Sequence, residues 1–404
     1  MSQLPLTGIR VLDFGQGVAG PYCGQLLADQ GAEVTKVEPL RGDWSRSMGV
    51  AGEGGQGAVF VSVNRGKSGV ALDLRQREAR EIAQTLAAQC DVVLESFRPG
   101  VMDKLGLGRE QLRRARPDLI YCSVTGFGSS GPNVHLPAGD STMQAYGGLM
   151  SIVGPRDGEA FRVGNVVSDM LAGMNAFSGV LLALLQRRPG EPGRDVDISL
   201  LDSIVAFQAP PLTEYLMTGQ LPERMGNDHP LLSPSGSFPT ADGPITLTVF
   251  DHQWPAFCDS LGLQAIAEDP RFATSAHRQR NRDALRVQLE AVLSTASRDE
   301  WIGRLRNMDV LCAPINDYAQ LRGDAQVRHN KLFGQMGAGD DRYPSIRNPT
   351  LGASCSDGAA APPRLGQHTR EVLALRCGLS EEVIQQLIDR GVVSAVPVQK
   401  EQHA

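Results

Sequence analysis

The chain has no long apolar run. Its longest uninterrupted one, near Val180–Leu185, falls far short of the roughly 20 residues a membrane-spanning helix needs. The opening MSQLPLTGIRVLDF carries neither a basic leader nor an apolar core, so it does not read as a secretory signal. There is no excess of basic charge: 39 Lys and Arg face 45 Asp and Glu, for a net charge of −6. That argues against nucleic acid or an anionic membrane as the main partner. The seven cysteines (Cys23, Cys90, Cys122, Cys258, Cys312, Cys355, Cys377) are scattered without CxxC or metal-ligand spacing, as expected of reduced thiols in a cytoplasmic protein. His252, His277, His329, His368 and His403 offer no ligand spacing either, so no metal is expected. No internal repeat is evident. What remains is ordinary for a globular protein, with 41% hydrophobic and 21% charged residues. At 404 residues the chain has room for two or three domains.

The N-terminal half alternates between strand and helix signals. Ile9–Phe14 reads as a strand, Pro21–Gln30 as a helix with proline near its start, and Glu33–Val37 as a second strand. The turn between the first two, Gly15-Gln16-Gly17-Val18-Ala19-Gly20, is a full GxGxxG, and Glu38 closes the second strand. In that context it matches a dinucleotide-binding fingerprint, which supports an NAD-dependent oxidoreductase. A tight strand-to-helix turn needing small residues explains it equally well. A helix over Glu78–Gln89, strands at Val92–Leu94, Ile120–Ser123 and Val196–Leu200, and a loop at Gly126–Pro132 continue the alternation. From about Thr213 the texture changes to Pro, Gly and Ser. A hairpin follows at Ala241–Phe250, then helical segments from Gln253 to Asn307 anchored on Trp254 and Trp301. Helices at Thr369–Leu373 and Glu381–Arg390 end the chain. The expected fold is α/β: a Rossmann-like large domain over residues 1–212, completed by a return segment over 326–404, with a smaller α+β domain over 213–325.

Arg162–Arg188, RVGNVVSDMLAGMNAFSGVLLALLQRR, stands apart chemically. Ser168 is the candidate N-cap, which puts Asp169 in the first helical turn. Ala172, Ala176, Gly179 and Ala183 form a small-residue stripe that permits close backbone approach. The remaining positions are apolar nearly all round, which predicts a buried helix, and two arginines suit its negative end. Locally, Asp169 reads as a cap or dipole partner. It also reads as a carboxylate available as a nucleophile.

Taken together, the segments VLDFGQGVAGPYCGQLLADQGAEVTKVEP (Val11–Pro39), GDWSR (Gly42–Arg46), NRGKSGVALDLR (Asn64–Arg75), ESFRPGVMDKLGLG (Glu95–Gly108) and RPDLIYCSVTGFGSSGP (Arg116–Pro132) form an ordered series. It continues through QAYGGLMSIVG (Gln144–Gly154), the Asp169 helix, DGPITLTV, CAPIN (Cys312–Asn316) and PPRLGQHTREVL (Pro362–Leu373). The series resembles the family III CoA-transferases (the CaiB/BaiF family) over nearly the whole chain. The resemblance implies an interlocked homodimer with no permanently bound cofactor. It implies coenzyme A or an acyl-CoA as substrate, a carboxylic acid as acceptor, and no nicotinamide at the glycine turn. The family's nucleophile falls on Asp169, with covalent aspartyl intermediates. Its CoA-contacting positions fall on Val18, Ala19, Leu72, Asp73, Leu74, Arg75, Ser96, Phe97, Arg98, Lys104, Pro137, Ala138, Gly139 and Asp140.

Among these, Arg75, Arg98 and Lys104 suit the phosphates of CoA and Phe97 suits its adenine. Asp140 is expected to orient or assist Asp169. An oxyanion donor is expected from a glycine-containing loop, with Gly236 as the candidate. His229, in GNDHPLL, is read as a structural or surface histidine. Val18 replaces a glutamine and Pro39 an arginine of the formyl/oxalate-type subgroup, and only Ser233–Gly236 stands for its glycine run, which puts formyl/oxalate specificity in doubt. The family's 2-methylacyl-CoA racemase branch is the alternative. It works with an Asp/His pair, and here Gly139 occupies the histidine's position, with His135 a few residues upstream.

Overall fold

The computed structural model describes residues 4–52, 55–350 and 360–396. The chain divides into two compact units, one comprising Met1–Leu149, Val163–Met217 and Ala325–Ala404, the other Met150–Arg162 and Thr218–Asp324. Residues 150–162, which sequence texture assigns to the large domain, thus belong to the second unit, and the switch expected at 213 comes at Thr218.

The larger unit is built on six parallel strands, β1 (Arg10–Asp13), β2 (Glu33–Glu38), β3 (Ser68–Leu72), β4 (Val92–Glu95), β5 (Ile120–Thr125) and β6 (Asp195–Ser199), arranged 3-2-1-4-5-6. This is the doubly wound order, whose crevice lies at the carboxyl ends of β1 and β4. Val393–Ser394 of the return segment adds a short antiparallel strand beside β3. Strands of a parallel sheet are covered on both faces and read as continuous apolar runs, and alternate residues serve opposite cores. Val11, Val34, Val92, Leu94, Ile120 and Cys122 pack on one side. Leu12, Val70, Val93 and Tyr121 pack on the other, where the return segment contributes Val372, Leu373, Ile384 and Leu387.

The first core is closed by α1 (Ala19–Asp29). Two further helices matter for the site, α2 (Asp140–Tyr146) and α3 (Val167–Gln186). α3 is long and apolar enough to cross a membrane, a property that counting uninterrupted runs misses because Ser, Gly and Asn interleave its apolar residues. It packs against α1, β5 and β6, as a core helix does. Burial is confined to one face. Ala172, Gly173, Ala176, Val180 and Ala183 are buried, whereas Met174, Leu182 and Leu185 are exposed, so the expectation of burial all round is corrected. The helix meets the backbone of α1 at Gly173, where a Cβ would lie 2.7 Å from the Ala19 carbonyl oxygen and 2.9 Å from the Tyr22 ring.

The second unit holds a three-stranded antiparallel sheet of β7 (Ser235–Phe238), β8 (Ile245–Thr248) and β9 (Leu311–Pro314). Its hairpin pairs Ser235–Phe238 with Ile245–Thr248, so Ala241 belongs to the turn and not to a strand. Trp254 and Trp301 lie in its core with Phe257 and Leu289. The six described cysteines are free, and Cys355 lies outside the described residues.

Ala is a better helix former than Gly by about 1 kcal/mol, so Gly303→Ala, with nothing within 4 Å of the new methyl group, should stabilise the protein slightly. Gly173→Ala should do the opposite, by about 1–3 kcal/mol, because α1 must move. Urea midpoints of the two variants against the parent chain check the opposed signs.

Candidate active site

The N-terminus of α3 is capped from a distance. Its N-cap position is Val166, which has no side chain able to cap, and the expected cap Ser168 sits fully buried inside the first turn. The missing acceptor is Asp140, at the start of α2: its Oδ1 accepts from the Ser168 amide at 2.9 Å and from the Ser168 hydroxyl at 2.8 Å. Its Oδ2 accepts from Gln144 Nε2 at 2.8 Å. Gln144, itself fully buried, also accepts from the Val163 amide at 2.8 Å and donates to the Asn165 carbonyl at 3.1 Å, which fixes the lead-in to the helix. A carboxylate on the free amides of a helix N-terminus meets both their hydrogen-bonding need and the positive end of the dipole.

Asp169, the next residue, is half-buried. Its carboxylate makes no hydrogen bond among the described residues. Burial, and after it the neighbouring Asp140 charge, together push the Asp169 carboxyl up to about 7. The two acids therefore have different tasks, one tied into the scaffold and one left bare.

The glycine turn is filled by the protein itself. Gly15 donates to Asp13 Oδ1 at 2.7 Å, Gln16 to Ser96 Oγ at 2.9 Å and Gly17 to Asp43 Oδ1 at 3.0 Å. Beneath it, Lys36 donates to the Gly15 carbonyl at 2.6 Å and pairs with Asp43 at 2.9 Å, both side chains fully buried. Lys67 pairs with Asp13 at 2.8 Å, and burial brings its pKa down to about 8. In a dinucleotide site such amides receive a pyrophosphate; here carboxylates and a hydroxyl occupy them. Glu38, which would have to hold a ribose, is gripped by Arg46 through two hydrogen bonds of 2.6 and 2.7 Å. Gly17 is needed for its positive φ of 78° and because the ring of Trp44 lies against it. The fingerprint is thus a structural turn.

Two cavities open beside the carboxyl ends of the strands. The first, about 390 Å³, is lined by Phe14, Val37, Leu72, Leu74, Phe97 and Leu105, with Gln16, Glu38, Arg41, Asp73 and Arg75 among its polar residues. Five of the expected CoA positions (Leu72, Asp73, Leu74, Arg75 and Phe97) meet there. Ser96 holds the Gln16 amide at its edge. Val18 and Ala19 are buried at the start of α1, and Ala19 faces Gly173, one turn from Asp169 on the same face of α3. Arg98 lines the second cavity, about 300 Å³, with Glu95, Arg109, Tyr121 and Ser123. Lys104, Pro137 and Ala138 are exposed and line neither, and Gly139 precedes α2.

Gly236 does not lie in a loop. It is buried in β7 opposite Leu247, and a Cβ there would lie 2.7 Å from Asp228 Oδ1. His229 is exposed, its Nδ1 accepting from the Leu231 and Leu232 amides, a local turn. Sequence reading missed Arg41, Asp43 and Glu95. The last is a buried acid at the end of β4 that burial pushes up to about 7; an acidic residue closing an otherwise apolar parallel strand was the available signal.

The doubly wound sheet, the cavity of about 390 Å³ on its carboxyl edge and the desolvated carboxylate together place the chain among the doubly wound α/β proteins. The family model for CoA-transferase family III matches residues 6–369. A succinate–glutarate CoA-transferase of Agrobacterium fabrum is 36% identical, over 92% of this chain and 95% of its own. An acetyl-CoA:oxalate CoA-transferase of Acetobacter aceti is 37% identical, over 82% of this chain and 86% of its own. A CaiB/BaiF family protein from Brucella suis of known crystal structure superposes with a TM-score of 0.84 at 33% identity, covering 93% of this chain and all of that one. The chain belongs to CoA-transferase family III, and it is an enzyme of that class, a CoA-transferase that uses CoA thioesters.

The raised Asp169 carboxyl has a thermodynamic consequence. From its usual 3.8 it rises to about 7 in the fold, so between these values the folded state holds a proton that the unfolded chain has released. Its contribution to stability is present at low pH and lost as pH rises through about 7. Asp169→Asn, which does not ionise, should therefore gain stability relative to the parent between about pH 4 and about pH 7. Urea midpoints compared at both ends of that window measure it; an equal difference at the two ends would mean an unshifted carboxyl.

Proposed function

We propose that the chain moves CoA reversibly from an acyl-CoA thioester to a carboxylic acid through covalent intermediates on Asp169. The observation that carries this reading is the half-buried Asp169 carboxylate, raised to about 7 and without a hydrogen-bond partner among the described residues. A carboxylate stripped of donors keeps its lone pairs for attack, and at neutral pH a large fraction of it is ionised.

Asp169 attacks the thioester carbonyl. The carbon–sulfur bond breaks, CoA thiolate leaves with the electron pair, and an aspartyl–acyl mixed anhydride remains. The thiolate then attacks the aspartyl carbonyl, releasing the donor acid as its carboxylate and leaving an aspartyl-CoA thioester. An acceptor carboxylate attacks that thioester, giving a second mixed anhydride and free thiolate. Thiolate attack on the acceptor's acyl carbonyl regenerates Asp169. One thioester replaces another, so little net driving force is required. Asp140 is a positioning residue: it holds the amide of Ser168 and thereby the start of α3, and its charge helps keep Asp169 from ionising too early. The cavity of Leu72–Arg75 and Phe97 receives the adenosine end of CoA, an apolar slot with a polar rim of suitable size. Small dicarboxylates are the proposed acid partners, in keeping with the succinate, glutarate and oxalate of the relatives' names. A homodimer fits the helix Ala209–Thr218, which has no buried residue and exposes Leu212, Tyr215, Leu216 and Met217.

The racemase alternative wants a histidine beside the Asp140 position. Gly139 has no side chain and His135 is exposed in its loop, so no observation favours it.

Incubation with succinyl-CoA followed by hydroxylamine or borohydride should leave Asp169 modified, as mapped by peptide mass spectrometry, and Asp169→Ala should lose exchange. Exchange by Asp169→Ala at the parent rate would defeat the mechanism. The single-turnover rate of attack should rise about tenfold per pH unit below about pH 7 and level off above it, because only the ionised form attacks. Asp140→Asn removes a neighbouring negative charge, so its profile should bend at lower pH; an unmoved bend would remove Asp140 from the electrostatics of Asp169.

A further inference from the structure

The first cavity meets two guanidinium groups, Arg41 and Arg75, and they are not equivalent. Arg75 lies against Asp73, with Nε to Oδ1 at 2.7 Å and Nη2 to Oδ2 at 3.0 Å. That fork-to-fork pairing uses the geometry with which arginine grips phosphate. It holds the Asp73 carboxyl down at about 2, so an incoming anion meets a neutral pair whose outer charge is already balanced. Other cations near the β2 loop are committed as well. Arg46 is bound to Glu38 and to Gln56 Oε1, and Lys36 is buried on Asp43. Arg41 is exposed and makes no hydrogen bond or ion pair among the described residues.

The order of the sheet says which end of the ligand reaches this rim. Along the carboxyl edge the lining residues come from β3 (Leu72–Arg75), β2 (Glu38–Arg41), β1 (Phe14, Gln16) and β4 (Phe97) in that order. Asp169 stands on α3, which packs against α1, β5 and β6, beyond the β1/β4 end. On that layout, a CoA whose sulfur reaches Asp169 leaves the cavity on its Gln16 and Phe97 side, and the ribose that carries the 3′-phosphate lies within the cavity, whose β3 and β2 end holds Arg75 and Arg41.

On the reading that this cavity receives the adenosine end of CoA, we propose that Arg41, and not the family-matched Arg75, binds the 3′-phosphate and gives the enzyme its preference for CoA over 3′-dephospho-CoA. Arg41 lies outside the stretches whose residue types suggest phosphate binding, and it lines the cavity beside Pro39 and Leu40. Arg75, held by Asp73, shapes the rim.

The test is calorimetric binding of CoA and of 3′-dephospho-CoA to the full-length parent, Arg41→Gln, Arg41→Lys and the double variant Asp73→Asn with Arg75→Gln, which removes both charges of the pair, with circular dichroism to confirm folding. Loss of one charge-assisted contact is expected to weaken CoA binding about tenfold in Arg41→Gln, while 3′-dephospho-CoA binding stays within about twofold of the parent. Arg41→Lys should recover part of the preference, and the double variant should keep it. Equal weakening of both ligands by Arg41→Gln, an intact preference in that variant, or loss of the preference in the double variant would each overturn the assignment. A parent that binds both ligands equally would overturn it too, leaving the CoA-transferase reading in place. A parent that binds neither would instead overturn the reading of the cavity on which the assignment rests.

Discussion

The hydrogen bond from the Ser168 amide to the Asp140 carboxylate is the contact on which the start of α3, and with it the setting of Asp169, depends. A helix begins with free amides, and one beginning inside a protein must find acceptors for them. α3 has no capping side chain at Val166, so the acceptor is brought in from α2, 28 residues earlier in the chain. Once Asp140 is bound there, its charge stays beside Asp169, and the lead-in clamped by Gln144 stays in place. Asp169, the proposed nucleophile, is left half-buried and bare. The cap of α3 and the electrostatic setting of Asp169 are two effects of a single carboxylate.

The same economy recurs at the glycine turn, where anionic side chains occupy the positions that phosphates take in dinucleotide-binding proteins. Asp43 receives the Gly17 and Ser45 amides together with Lys36, and Asp13 receives the Gly15 amide and Lys67. Removing one member of such a buried pair would leave an unbalanced charge, a defect worth about 3–5 kcal/mol. The amides of the turn are consequently taken up within the protein and closed to a pyrophosphate. The open space is displaced sideways, into the cavity spanning the ends of β3, β2, β1 and β4, still on the edge where a doubly wound sheet binds its ligands.

Much of the architecture is legible in the residues. Apolar runs such as Val92–Leu94 and Ile120–Cys122 are what a parallel strand covered on both faces requires, and each proved to be one. Trp254 and Trp301 are core anchors because aromatic side chains of that size are mostly removed from water. Where local reading failed, a partner distant in sequence had intervened. Ser168 has the chemistry of a cap but lies inside the helix; Gly236 has the look of a loop glycine but lies in a strand opposite Leu247. α3 reads as apolar all round, yet Leu185 is 75% exposed.

The sequence by itself determined the opening strand–helix–strand, the strands β4, β5 and β6, the family and the presence of an acid at the start of a core helix, because periodicity, turn chemistry and motifs are local properties; β3, β9 and α2 were not legible in it. Tertiary structure alone decided which charged groups are free. Arg41, Arg75 and Arg46 are the same residue type within one stretch of chain, yet only packing set two of them against Asp73 and Glu38 and left the third facing the cavity. Asp140 and Asp169 are likewise the same acid, and only burial and hydrogen-bond partners gave one to the scaffold and raised the other to about 7. Ionic partnership depends on distances of a few ångströms between residues far apart in sequence, and no local pattern carries that information.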